Sequence, residues 1–202
     1  MRFHAVITPP PHVLADLAGA VERASAQSPG VPWLPRPAWQ LKLAYFGNLG
    51  LDESLSVRQT MARIGSYCPP LRLRMLGIEA VPDDADAESL TVGLDGSIDD
   101  LWSLANAIPP MVQRQGLFLD RRSFRASVTI AQGARTTFDA RRVMTPLATY
   151  QGVPWVAGEM RIVRWVPGSD GEQDVYEDVE RYEFTAPTPG DPEDQVPQGA
   201  PT

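Results

Sequence analysis

The chain has 202 residues, 43% of them hydrophobic, with a formal net charge of −7 and a single cysteine, Cys68. That length and apolar content support a real core in one compact domain or two small lobes, and one cysteine excludes an internal disulfide framework. The acidic balance argues against affinity built on broad neutralisation of a nucleic-acid backbone, which needs a basic surface, so any contact with RNA has to be local.

In chain order, FHAVI at 3–7 reads as a short strand, and the prolines Pro9 to Pro11 end it and lead into a helix with Val13, Leu14, Leu17 and Val21 at helical spacing. A Pro- and Gly-containing loop near 28–37 precedes a second strand, WQLKLAYF at 39–46, stopped by Gly47. Asp52 is the expected N-cap of a helix that sets Val57, Met61, Ile64 and Cys68 on one face before Pro69 and Pro70 end it. Leu71 to about Val81 alternates, and after the turn-rich VPDDADAE the run SLTVGL at 89–94 predicts an antiparallel partner. Ser97 and Asp100 resemble a capping box opening a helix through Leu101, Leu104 and Ile108, which Pro109 and Pro110 are expected to kink or split. A strand at 124–131, a helix near 138–147 and strands near 159–165 and 179–185 complete the order β-α-β-α-β-β-α-β-α-β-β. Helices interspersed with strands, some joined directly, predict an α+β protein of two similar halves, each with a strand-helix-strand unit, rather than a doubly wound parallel sheet.

Residues 188–202, TPGDPEDQVPQGAPT, are Pro-rich and acidic without apolar periodicity, and are expected to form a disordered tail behind a single domain at 1–187. With Asp191, Glu193 and Asp194 set aside, about −4 remains on that domain. No stretch reads as a signal or a membrane span, so a soluble, reducing, cytoplasmic setting is expected, with no membrane partner. No metal-ligand spacing is visible, so no metal or other cofactor is expected. Neither GxxxxGK[ST] nor GxGxxG after a strand occurs, which argues against a nucleoside triphosphate enzyme. A monomer is the expected state.

Chemistry concentrates on two of the predicted strands. Side chains two apart on a strand share a face, so Gln40 pairs with Lys42 and Ser127 with Thr129. Gln40-Leu41-Lys42-Leu43-Ala44-Tyr45-Phe46-Gly47 resembles the pattern H-[hydrophobic]-T-L-A-F-[hydrophobic]-G, and Phe124-Arg125-Ala126-Ser127-Val128-Thr129-Ile130-Ala131-Gln132 resembles F-x-P-H-[hydrophobic]-T-L-A-R. These are the two motifs of the 2H phosphoesterases, the family of 2′-5′ RNA ligases and RNA 2′,3′-cyclic phosphodiesterases. The intervening LRLRMLGIEAVPD, SLTVGL and RRSF, and the later LATYQGVPWVAGEMRIVRW, are similar to the same family, so the resemblance spans roughly 1–187.

The resemblance implies a bilobal fold, with two pseudo-symmetric halves whose antiparallel sheets line a central cleft and helices outside. It also implies a mechanism in which one histidine acts as general base, the other as general acid, and two hydroxyls hold the phosphate. Here Gln40 and Ser127 stand at the histidine positions, Lys42 replaces the first hydroxyl, and Thr129 keeps the second. Glutamine and an unactivated serine do not titrate near neutrality, so the acid–base pair is missing. Lys42, the only lysine beside 17 arginines, either holds a phosphate as a point charge, helped by Ser127, Thr129 and Gln40, or snorkels out of an abandoned cleft or pairs with a carboxylate.

Of the two histidines, His12 reads as exposed at the start of the first helix, and His4 reads as a filled core or edge position that also has the option of lining the cleft. Arg72 and Arg74 read as the solvated face of the third strand. The cluster Arg121, Arg122 and Arg125 is the better candidate for phosphate contact, although arginines in a loop are usually just surface. Trp39, Trp102, Trp155 and Trp165 read as packing, and Cys68 as a small buried hydrophobe.

The leading expectation is a catalytically degenerate protein with the family's fold, whose partner is a phosphorylated nucleotide or RNA end held at Gln40, Lys42, Ser127, Thr129, His4 and Arg125. The alternatives are an active cyclic phosphodiesterase using His4 and Lys42, and a non-catalytic scaffold whose acidic tail recruits a partner.

Overall fold

The computed structural model describes residues 2–26, 28, 30–117, 119, 123–133, 136–166, 168 and 174–187. Its strands are β1 (Arg2–Ile7), β2 (Leu41–Gly47), β3 (Leu71–Val81), β4 (Ser89–Gly96), β5 (Ser127–Gln132), β6 (Trp155–Ala157), β7 (Glu159–Val166) and β8 (Val175–Glu183); the helices are α1 (Pro11–Ser25), α2 (Leu51–Ser66), α3 (Ile98–Gln113) and α4 (Arg141–Leu147). All ladders are antiparallel, and they join into one sheet in the order β6-β3-β4-β5-β2-β1-β7-β8. The α+β class and the two halves are as expected, and the halves' sheets are continuous with each other. Two strand-helix-strand units, β1-α1-β2 and β4-α3-β5, end on the two strands that meet in the middle.

The seam between the halves is thin. β2 and β5 share a single register pair, Leu41↔Val128, after which β5 takes the 32–34 segment as its neighbour through Leu34 N–H to Ile130 O (2.9 Å), Gln132 N–H to Pro32 O (3.1 Å) and the Trp33↔Ala131 bridge. The helices compensate by straddling it. α3, from the second unit, lies against β2, while α1, from the first, packs on α4, which lies against β3.

The core fills one face of the sheet, where Ala5, Ile7, Leu41, Leu71, Leu73, Met75, Leu90, Val92, Val128, Ile130, Met160 and Ile162 meet the buried stripes of the helices. Strand periodicity dictates this, because the intervening side chains have to point the other way.

Several local expectations need correction. α2 starts at Leu51 with Gly50 as its N-cap, not Asp52, because the Glu53 carboxylate accepts a hydrogen bond from Gly50 N–H (2.7 Å). At α3 the Ser97 hydroxyl is diverted from capping: it accepts from Arg72 N–H (3.1 Å), tying the helix start to β3. α3 runs through Pro109 and Pro110 without splitting, since its buried stripe of Leu101, Leu104, Ala105, Ile108 and Val112 continues across them and the prolines lie outward. β6 is an additional short strand on the β3 edge that three residues of sequence did not reveal. Trp102 is 39% exposed on α3, edge-on to Phe124 at 5.0 Å, whereas Trp39 and Trp155 are buried as expected. Among the described residues, no helix is long and apolar enough to cross a membrane.

Candidate functional site

The face away from the helices carries the motif residues. Leu41 and Val128 are core partners, so strand alternation turns their neighbours Lys42, Ser127 and Thr129 to the other face, and Gln40, just before β2, lies between the core residues Trp39 and Leu41. On the far side of β5, Thr91 of β4 pairs with Thr129 and Gly93 with Ser127, so the hydroxyls of Thr91 and Thr129 share this face. The result is a polar strip across the seam.

Burial grades it. Lys42 is exposed, Ser127 and Thr129 are half-buried, and Thr91 and Gln40 are each 6% exposed. Gln40 sits between Trp39 and Leu41, both in the core, and its Oε1 is buried with no hydrogen-bond partner among the described residues. A buried amide oxygen left in that state costs about 1–3 kcal/mol.

On the other flank of the strip, β1 offers His4 and Val6. Val6 pairs with Lys42 on one side and Arg161 on the other; His4 pairs with Tyr45 and Val163. Val6 and Val163 are 0% and 1% exposed yet stand outside the core cluster, which fixes them on the face opposite the helices. His4 is buried there too, its ring edge-on to Tyr45 at 4.6 Å and to Trp165 at 6.4 Å, with the Arg2 guanidinium 4.9 Å above Trp165. Trp165 therefore packs as expected, but on the motif face.

Arginines border the strip at both ends. Arg74 is bound to Asp95 (2.7 Å), whose carboxyl is held below its ordinary pKa by that hydrogen bond and by Gly96 N–H; Arg72 is exposed. Arg161 is held by Glu159 (2.5 Å) and Asp178 (2.7 Å). Arg125 is exposed, and its carbonyl accepts from Ser127 N–H (2.8 Å) just before β5 begins. Arg121 and Arg122 lie outside the described residues. His12 is exposed in the first turn of α1. Cys68 is buried, and burial, with Asp100 nearby, pushes its thiol up to about 12. No cluster of three metal-ligating side chains exists among the described residues.

Sequence reasoning passed over Thr91. Its place in the strip follows from the β4–β5 register, and the only trace in the sequence is a polar residue between Leu90 and Val92.

An eight-stranded antiparallel sheet of this order, with helices on one face, is the fold of the 2H phosphoesterases that the two motif strands pointed to. Among solved structures, the chain is similar to TT0787 of Thermus thermophilus, with 18% identity and a TM-score of 0.70 over 92% of this chain and 98% of that one. It is similar in the same degree to a phosphoesterase (14%, 0.70, 92% and 99%) and to E. coli LigT in complex with 3′-AMP (15%, 0.70, 92% and 98%). LigT also has structures in complex with NADP+, ATP and phosphate. No protein-family model matches the chain, and no curated protein matches it.

Proposed function

We propose that the strip across the seam binds a phosphorylated ligand, an RNA end or a cyclic or oligonucleotide, without the acid–base catalysis of the 2H phosphoesterases. The observation that supports this reading is the register pair Leu41↔Val128, beside which Lys42, Ser127 and Thr129 alternate to the face away from the core and Gln40 keeps a buried amide oxygen with no hydrogen-bond partner among the described residues. Lys42 supplies the charge, Ser127 and Thr129 donate or accept hydrogen bonds to phosphate oxygens, and Gln40 Oε1 accepts from a ligand hydroxyl or amine. That LigT, with the same fold, binds 3′-AMP and ATP supports a nucleotide as the ligand. No residue at the two histidine positions exchanges a proton near neutral pH, so hydrolysis of a 2′,3′-cyclic phosphate is expected at the background rate.

Calorimetric titration with 2′,3′-cyclic nucleotides and short RNAs tests this. Charge-assisted hydrogen bonds contribute about 1.5–3 kcal/mol, so Lys42→Ala is expected to weaken binding by roughly 10- to 150-fold. Binding that is indifferent to Lys42 sinks the proposal. Turnover that disappears in His4→Ala would instead establish an active phosphodiesterase, a reading disfavoured by the burial of His4 among Tyr45 and Trp165.

A further inference from the structure

On the helical face, opposite the strip, a space of about 360 Å³ opens between the second half of α2 and the end of α3. Helical spacing supplies its walls: Gln59, Thr60 and Arg63 share one side of α2, and Met111, Arg114 and Gln115 follow one another at the end of α3. Thr60 is 3% exposed, and its Oγ1 accepts from Gln115 Nε2 (2.8 Å), which joins the two walls. Its own O–H has no acceptor among the described residues.

The chemistry of the lining is one-sided. It offers two guanidiniums, two carboxamides and a hydroxyl, with Met111 as the apolar member and no carboxylate. The chain carries a net charge of −7, and Arg36, Arg58, Arg74 and Arg161 each meet a carboxylate. Arg63 and Arg114 are exposed and have no ion-pair partner among the described residues. Nor do the helix ends demand them. The Arg63 carbonyl accepts from Ser66 Oγ (2.8 Å), and those of Ile64 and Gly65 accept from Tyr67 and Cys68 N–H (both 3.1 Å). At α3 the carbonyls of Pro110, Val112 and Gln113 accept from Arg114, Gln115 and Gly116 N–H (3.2, 3.1 and 2.9 Å). The chain thus fills these terminal acceptors itself, and two like charges beside one space repel until an anion enters it.

We propose that this space is a second binding site, taking the oxyanion group of a small organic molecule, a phosphate ester or a carboxylate. Arg63 and Arg114 supply charge and forked N–H donors, the Thr60 hydroxyl donates from the buried side, and the carboxamides of Gln59 and Gln115 complete the set of donors. The volume fits as well. Small-molecule pockets run from about 300 to 1,000 Å³, so room remains beside the anion for an organic body against Met111. No group in the lining exchanges a proton near neutral pH, so the site binds its ligand without reacting.

The test is an NMR titration of the full chain carrying Lys42→Ala, which removes the charge of the strip. Inorganic phosphate and, separately, succinate are added, each against chloride at equal ionic strength. The side-chain Nε–H signals of Arg63 and Arg114 and the amides of 59–63 and 114–116 are expected to shift saturably. Arg63→Gln with Arg114→Gln is expected to weaken binding roughly two- to thirtyfold, the range for two exposed ion pairs. A response to phosphate alone assigns a phosphate ester, a response to succinate alone a carboxylate, and a response to both an oxyanion of either kind. Shifts no larger than those with chloride, or shifts that the double substitution leaves unchanged, overturn the proposal.

Discussion

The two halves of the sheet share an architecture and differ on the face away from the helices. In the β4–β5 half that face carries Thr91, Gly93, Ser127 and Thr129, short side chains around half-buried hydroxyls. In the β1–β7 half it carries His4, Val6, Val163 and Trp165, a buried apolar floor roofed by rings. A two-fold repeat of backbone therefore does not enforce a two-fold repeat of chemistry. One half has a polar lining and the other is filled, so the binding proposed above would be confined to the seam, with Lys42 contributed from β2.

The most damaging way to break this arrangement is to loosen the seam. Leu41→Ala removes one partner of the only β2–β5 register pair from a fully buried position, and is expected to cost about 2–5 kcal/mol in urea unfolding. A cost under about 1 kcal/mol would mean that the straddling helices alone hold the halves together. A pair of exchanges probes the difference between the floors. Val6→Thr buries a hydroxyl beneath rings and is expected to cost about 1–3 kcal/mol, while Thr91→Val in the other half should stay within about 1 kcal/mol of the parent. Equal costs would dissolve the contrast.

Alkali offers the mildest probe, through the edge that closes the β1–β7 half. On β8, burial and Glu180 raise the Tyr182 hydroxyl above its ordinary 10.0, and burial and Asp174 raise that of Tyr176. A folded-state pKa above the unfolded one gives a contribution that is complete below about pH 10 and is lost as pH rises through the folded value. Amide exchange at β8 is therefore expected to accelerate, as pH rises above about 10, before it does at β4. The reverse order would place the weaker half on the other side of the seam.

Most of the fold was legible because alternation and proline punctuation are local signals. Leu71 to Val81 and the turn after it announced β3 and β4, and the residues around Gln40 and Ser127 announced the two central strands. What escaped depended on partners distant in sequence. Ser97 looks like a cap until β3 supplies the Arg72 N–H that takes its hydroxyl, Pro109 and Pro110 look like breakers until core packing carries α3 across them, and β6 exists only because the edge of β3 accepts it. The four motif positions were named from spacing and resemblance, and His4, read as a filled core or edge position, is buried; Thr91 was missed because only register reveals it, and the burial of Gln40 because the neighbours that bury it are scattered along the chain.

The order in which the strands are synthesised has a consequence of its own. Residues 71–157 supply β3, β4, β5 and β6 without interruption, whereas the other half is assembled from both ends of the chain, with β1 waiting for β7. A nascent polypeptide halted before Glu159 can already bring Lys42 up to Ser127, yet it leaves one margin of β1 with bare amides and carbonyls, a template for pairing with other chains. Shielding that margin until β7 emerges is therefore expected to raise the yield of native molecules.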